Sequence, residues 1–393
     1  MKKGLSILAT GFILQLTTMS FGRFAYTLVL PEMMHTLGFT NTMMGIFGMC
    51  IVLGYLLNSF LSGKISSIIG ESRTIQLSTV LSSASLAALG YFTSVFALFP
   101  AFIGLGAGAS GAYIPLISIL NIQFRNKGTA FGAVMGGTGA GIMLCGYLLP
   151  LLLAPNSSSS YQTAWYTLAT VNLLSVGMAF IFLRPGNDSV KKTNASGSIQ
   201  KSTLQIIREN KPLILTILVY FLLGFSFISY STFFGAYSIN ECGFLLSTAG
   251  MMWSLFGINT IYSGMFWGYL SDRLNKISIC IIINSILALS VIIILPLPLV
   301  YLFYSSTFLF GFAFLGFIIT ITTLISDEVD KAEMAKVFGA STLIHGSGQV
   351  AGTFLTGFLK DITHTFKLPF SLSAVMLAVS IVILYHLKKL TDK

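Results

Sequence analysis

Long apolar runs, repeated from one end of the chain to the other, restrict this sequence more than any other feature. Crossing a bilayer as a helix takes about 20 mostly apolar residues, and twelve such runs are expected, near 5–31, 41–62, 75–94, 97–120, 128–153, 163–183, 213–238, 246–270, 277–296, 299–325, 336–359 and 369–387. Short loops carrying Gly, Pro, Ser or charge separate them. Only 9% of the 393 residues are charged and 54% are hydrophobic, too few charges to cover the surface of a soluble fold of this size. Lys2 and Lys3 lead into an apolar run with no small-residue cleavage pattern, so that run is expected to be the first span and not a leader. Cys50, Cys145, Cys242 and Cys280 are scattered and form neither a metal pattern nor a disulfide framework.

The longest polar stretch lies in the middle, from Arg184 to Lys211. It divides the chain into a six-helix half over 1–183, a linker over 184–211 and a second six-helix half over 212–393. Alternating the spans from a cytoplasmic N-terminus puts 19 of the 22 basic residues on one side, leaving Lys360 and Lys367 opposite and Arg23 within a span. That bias places both termini in the cytoplasm. It also accounts for the net charge of +10 with no nucleic-acid partner.

The halves repeat each other. Gly38-Phe39 with Gly45 recurs as Gly243-Phe244 with Gly250, and Gly63 with Ser66 as Gly268 with Ser271, all at a shift of 205 residues. Tyr26 falls on Tyr230 at 204, while Phe131-Gly132, Gly139 and Gly141 fall on Phe338-Gly339, Gly346 and Gly348 at 207. Halves related in this way bind solutes between them, near the middle of the membrane.

Gly268-Tyr-Leu-Ser-Asp272-Arg273-Leu-Asn-Lys276 resembles the loop signature of the major facilitator superfamily. The first-half copy is degenerate, with Ser67 and Ile68 at the Asp and Arg positions. Gly22-Arg-Phe-Ala-Tyr-Thr27 with Leu30-Pro31, Gly224-Phe225 with Tyr230 to Phe234, and Gly352, Gly357 and Asp361 are similar to the YbfB/YjiJ-type branch. The resemblance implies an all-α membrane protein of twelve transmembrane helices in two six-helix pseudo-repeat halves, working as a monomeric, multi-pass transporter in the cell membrane. It implies no enzyme activity and no cofactor. It also implies that Gly268, Asp272 and Arg273 gate, with the Asp272 carboxylate latching onto a helix end of the other half. Pro100 stands where many members carry an Arg, and Gly137 where antiporters carry a Pro, which weighs against a drug or metabolite exporter.

Arg23 is the residue with most to say about cargo. It sits about 18 residues into the first span, roughly 27 Å along the axis, where charge costs about 2.5–3.5 kcal/mol on insertion scales and is normally functional. Gln15, Met19, Arg23 and Tyr26 are spaced to share one helical face, which would aim Arg23 and Tyr26 into a central cavity. The competing reading pairs Arg23 structurally with Glu32. Ser341, His345 and Gln349 follow at steps of four, a polar stripe on one helix in which His345 is a candidate proton carrier. Gln349, Tyr113, Tyr230 and Asn259 are further candidates for substrate contact, although interhelical bonding explains such groups equally well. A fixed cation with no carboxylate at a span centre favours an organic anion, monocarboxylate-like, moved with a proton. A membrane sensor or channel is the alternative of another class. Against it stand the missing sensory domain and the duplicated halves.

Overall fold

The computed structural model describes residues 2–124, 127–153, 160–183, 203–330 and 333–391, and the regular structure among these is helical. The first span comprises α1 (Lys2–Leu14), a π-helical segment (Gln15–Phe21) and α2 (Tyr26–Leu37). Then come α3 (Asn41–Ile69), α4 (Glu71–Tyr91), α5 (Val95–Gln123), α6 (Lys127–Leu152) and α7 (Ser160–Phe182). A short α8 (Thr203–Glu209) leads to α9 (Lys211–Ala236), which ends in a π-turn (Tyr237–Glu241). The remainder is α10 (Leu246–Arg273), α11 (Lys276–Ile292), α12 (Val300–Asp327), α13 (Met334–Thr363) and α14 (Lys367–Thr391). With α1 and α2 joined and α8 set aside, these fourteen helices make the twelve spans expected. Of the 184–211 linker, residues 184–202 lie outside the described residues.

Local chemistry sets the helix ends. Thr40, Asn210 and Asn275 each accept a backbone N–H three residues on, starting α3, α9 and α11, a standard capping arrangement. Gly38 (φ 67°) and Gly243 (φ 70°), partners at the 205-residue shift, both take the left-handed turn that ends a span, a conformation open to glycine at little cost. Among the described residues, eight spans are long and apolar enough by themselves to cross a membrane. The serine-rich α4 is less apolar because its polar groups face protein. Gln76 donates to the carbonyls of Ala179 and Leu183, at the end of α7, and Ser83 accepts from Asn172.

Backbone meets backbone where glycines allow it. A Cβ on Gly106 of α5 would lie 1.8 Å from the Ile51 carbonyl oxygen of α3, and one on Gly54 2.0 Å from that of Ile103. We predict that Gly106→Ala lowers stability by about 1–3 kcal/mol, since neither main chain can yield locally. An unchanged melting temperature in detergent would contradict this packing.

The first six spans meet the last six chiefly along α3 with α13, α6 with α10, and α2 with α9. Gly45 faces the Thr353 carbonyl, Gly357 that of Asn41, and Gly146 that of Gly250. These contacts cluster toward the membrane face remote from the chain termini. At the other face, Gly63, Gly268 and Gly339 each look onto open space. The two sets of spans are thus closed against each other on the side away from the termini.

The first span departs from the unbroken helix expected over 5–31. Ser20 O accepts from both Phe24 N (2.7 Å) and Ala25 N (3.1 Å), and Leu28 N turns to Ala25 O (3.1 Å). The Phe24 carbonyl thereby loses its intrahelical donor and accepts from the Trp253 indole of α10 at 3.2 Å. The break precedes Pro31, which sits inside α2.

Candidate functional site

Arg23 lies at that break, half-buried, where the first span faces α13. Its Nη2 donates to Gln349 Oε1 of α13, and its guanidinium carbon lies 5.5 Å from the centre of the Tyr55 ring of α3. Arg23 Nε is buried with no hydrogen-bond partner. Glu32 accepts from Thr36, so the side chain bonded to the Arg23 guanidinium is a neutral amide.

From Gln349 the chain of bonds continues. Gln349 Nε2 lies 2.6 Å from His345 Nε2, one helical turn back, and His345 Nδ1 lies 2.8 Å from the Tyr220 carbonyl oxygen of α9. A carbonyl only accepts, so Nδ1 carries the imidazole proton and Nε2 accepts from the amide. The His345 ring stacks on that of Tyr220 with centroids 3.9 Å apart. Gly224 makes this approach possible: a Cβ there would lie 2.4 Å from His345 O and 2.8 Å from Nδ1. Gly348 and Gly352, on the same face of α13, lie as tightly on the Phe221 and Phe225 carbonyls. Small residues on one helix face and a polar stripe beside it therefore put His345 and Gln349 opposite Arg23.

Tyr113 of α5 stands within electrostatic reach of Tyr55 and Tyr220 and joins this cluster. Tyr26, Tyr230 and Asn259 are not brought to it. The Tyr26 hydroxyl donates to the Met44 carbonyl at 2.8 Å and its ring meets Phe102. Tyr230 shares a 2.6 Å bond with Ser306 and stacks on Phe310. Asn259 donates to Leu255 O and accepts from Tyr262. The shared face expected of Arg23 and Tyr26 fails for a physical reason. The break at Phe24 and Ala25 falls between the two residues, and the wider turns of the π-helical segment before Arg23 shift Gln15 and Met19 as well, so the spacing on which that face depended is lost. Tyr55 and Tyr220 escaped the sequence reading. One is an aromatic among many in apolar spans, and the other contributes a carbonyl, which every residue has.

Asp272 and Arg273 end α10 at the face of the termini, both exposed, with the Arg273 guanidinium 4.2 Å over the Tyr269 ring. Because α6 and α10 run antiparallel, with Gly146 at Gly250 and Gly139 at Gly257, Asp272 lies toward the start of α6. We predict that Asp272→Ala favours the state open at this face by about 0.3–1 kcal/mol, the usual worth of a carboxylate at a helix N-terminus. Unchanged inter-half distances in spin-label spectroscopy would sink the gating role.

Known proteins of like sequence and shape point one way. The chain is 23% identical to the hexuronate transporter of Bacillus subtilis (strain 168) over 385 residues, covering 89% of this chain and 87% of that protein. Its structure resembles that of a mutant of the nucleoside transporter NupG, with a TM-score of 0.80 at 15% identity over 98% of this chain and 99% of that one. It also resembles a bacterial homolog of the human lysosomal transporter Spinster, inward-facing and unoccupied, with a TM-score of 0.78 at 14% identity over 100% and 98% of the two chains. The family described as "Uncharacterised MFS-type transporter YbfB" matches residues 15–385, and the chain belongs to that family of multi-pass membrane transporters.

Proposed function

We propose that this secondary transporter carries a small organic anion of the monocarboxylate class in symport with a proton, by alternating access between halves 1–183 and 212–393. The observation that carries the reading is the bond from Arg23, a fixed cation where the two sets of spans meet, to a neutral amide. A guanidinium is always charged and grips a carboxylate through two parallel bonds, so an incoming anion outcompetes Gln349. The hydroxyls of Tyr55, Tyr113 and Tyr220 make no hydrogen bond among the described residues, leaving donors for a hydroxylated body. The hexuronate named for the Bacillus subtilis relative is a carboxylate of that kind. His345, two bonds away, is the proton carrier. The basic bias of one face favours the cell membrane with both termini in the cytoplasm.

The reading is tested with purified protein in proteoliposomes, offering labelled D-glucuronate and L-lactate with and without an inward proton gradient. Uptake of a carboxylate, accelerated by the gradient, is expected. Carboxylate uptake indifferent to the gradient overturns the proton. Uptake of a neutral nucleoside with none of either carboxylate overturns the anion.

A further inference from the structure

We infer that the Gln349 side-chain amide is the switch that makes anion and proton bind together. This rests on the reading of Arg23 as the anion's contact, and its logic is that of donors and acceptors. In the present state every bond in the chain points one way. Arg23 donates to Gln349 Oε1, Gln349 Nε2–H donates to His345 Nε2, and His345 Nδ1–H donates to the Tyr220 carbonyl. Protonating His345 places a hydrogen on Nε2, which then must donate. It would meet the NH2 of Gln349, another donor, at 2.6 Å.

The clash has one local remedy. The amide turns over, so that Oε1 accepts from His345 Nε2–H and the NH2 faces Arg23. That orientation sets the amide donors against the guanidinium donors. It becomes favourable once an anion sits at Arg23, because the anion's oxygens accept from both. The bond from Arg23 to Gln349 and the proton on His345 thus exclude each other, and an anion relieves the exclusion. The proton comes from water on the side where the anion enters, ends on Nε2, and returns to water with the anion once the site opens to the other side.

Among the described residues, the surroundings add no competing charge. The charged group acting on His345 is Arg23, from the first span. From α9 the Tyr220 ring and carbonyl face it, and from α12 the non-titrating Phe317. Tyr55 of α3 and Tyr113 of α5 lie on the Arg23 side. Two neighbouring cations repel unless the anion is present, which acts in the same direction as the amide.

Linkage then requires that each ligand raise the affinity for the other by one factor. The test titrates full-length protein with D-glucuronate from about pH 5.5 to about pH 8, following proton uptake in weakly buffered solution. The expected result for wild type is an affinity falling roughly tenfold across that range, which linkage equates with a mean uptake of about 0.4 proton per anion. In Gln349→Leu, similar in size but with no donor or acceptor, binding at the alkaline end tightens and the pH ratio shrinks at least about threefold. In His345→Gln proton uptake disappears. An equal pH ratio in wild type and Gln349→Leu overturns the switch while leaving the anion site standing. Proton uptake surviving in His345→Gln overturns it too. Failure of wild type to bind D-glucuronate, L-lactate or any other carboxylate overturns both this inference and the reading beneath it.

Discussion

Arg23→Gln is expected to reduce carboxylate affinity roughly thirty- to several-thousand-fold, about 2–5 kcal/mol, the usual loss when one partner of a buried, hydrogen-bonded charge pair is removed. The fold should survive, because glutamine keeps an amide to bond Gln349 and removes a charge whose presence in the span is costly. Arg23→Lys is expected to fall between the two, keeping the charge but losing the planar fork. Calorimetric titration with a carboxylate checks this directly. A Gln variant that binds as wild type does would make Arg23 a structural residue that merely bridges the first span and α13.

Asp361→Ala is the second large effect, and it acts on the other face. At the end of α13 the Asp361 carboxylate accepts from Asn41 N (3.1 Å), Asn41 Nδ2 (2.8 Å), Thr42 N (2.7 Å) and Thr42 Oγ1 (2.5 Å), the first residues of α3. A residue of the last six spans thus fills backbone donors left open at the start of a helix in the first six. Gly357, one turn back, permits the approach by leaving room for the Asn41 carbonyl. Loss of these bonds to a partly exposed carboxylate should cost the closed state about 2–4 kcal/mol, a population shift of roughly thirty- to several-hundred-fold. Distances between spin labels in the 38–40 and 364–366 loops should lengthen in the variant, and equal distributions would contradict the latch.

The same carboxylate predicts a pH window. Burial raises its pKa, but the bonds from Thr42 and Asn41 outweigh that and hold it below the usual 3.8. A depressed carboxylate contributes its full stabilisation above the pKa it has when released. That contribution is lost only as pH falls through its lower value in the closed state. Closure by Asp361 should therefore be constant from about pH 5 to about pH 8 and weaken only in acid below about pH 4. Any pH dependence of transport nearer neutrality then belongs to another group.

Much of this architecture can be read from the residues. Span number follows from apolar run length, and the 205-residue shift pairs Gly38 with Gly243, both of which the structure places in left-handed turns. The stripe of His345 and Gln349 follows from steps of four in an unbroken helix, α13. Arg23 was legible because charge in an apolar run is expensive. The hidden features share a cause, which is dependence on distant backbone. Nothing near residue 24 announces that its carbonyl will be taken by Trp253, and nothing near Asp361 announces a partner 320 positions away. Tyr26 and Tyr230 are partners at the 204-residue shift. What matches is burial against aromatic neighbours, with each hydroxyl already bonded inside its own set of spans.

That the cargo is an anion held by Arg23 is tested most directly by the melting temperature of the purified protein against carboxylates, organic cations and neutral nucleosides. A ligand that binds only the folded state raises that temperature with occupancy. Carboxylates should stabilise wild type and leave Arg23→Gln unmoved, while cations and nucleosides stabilise neither. Stabilisation by a cation or a nucleoside, equal in both proteins and absent with every carboxylate, would contradict the account.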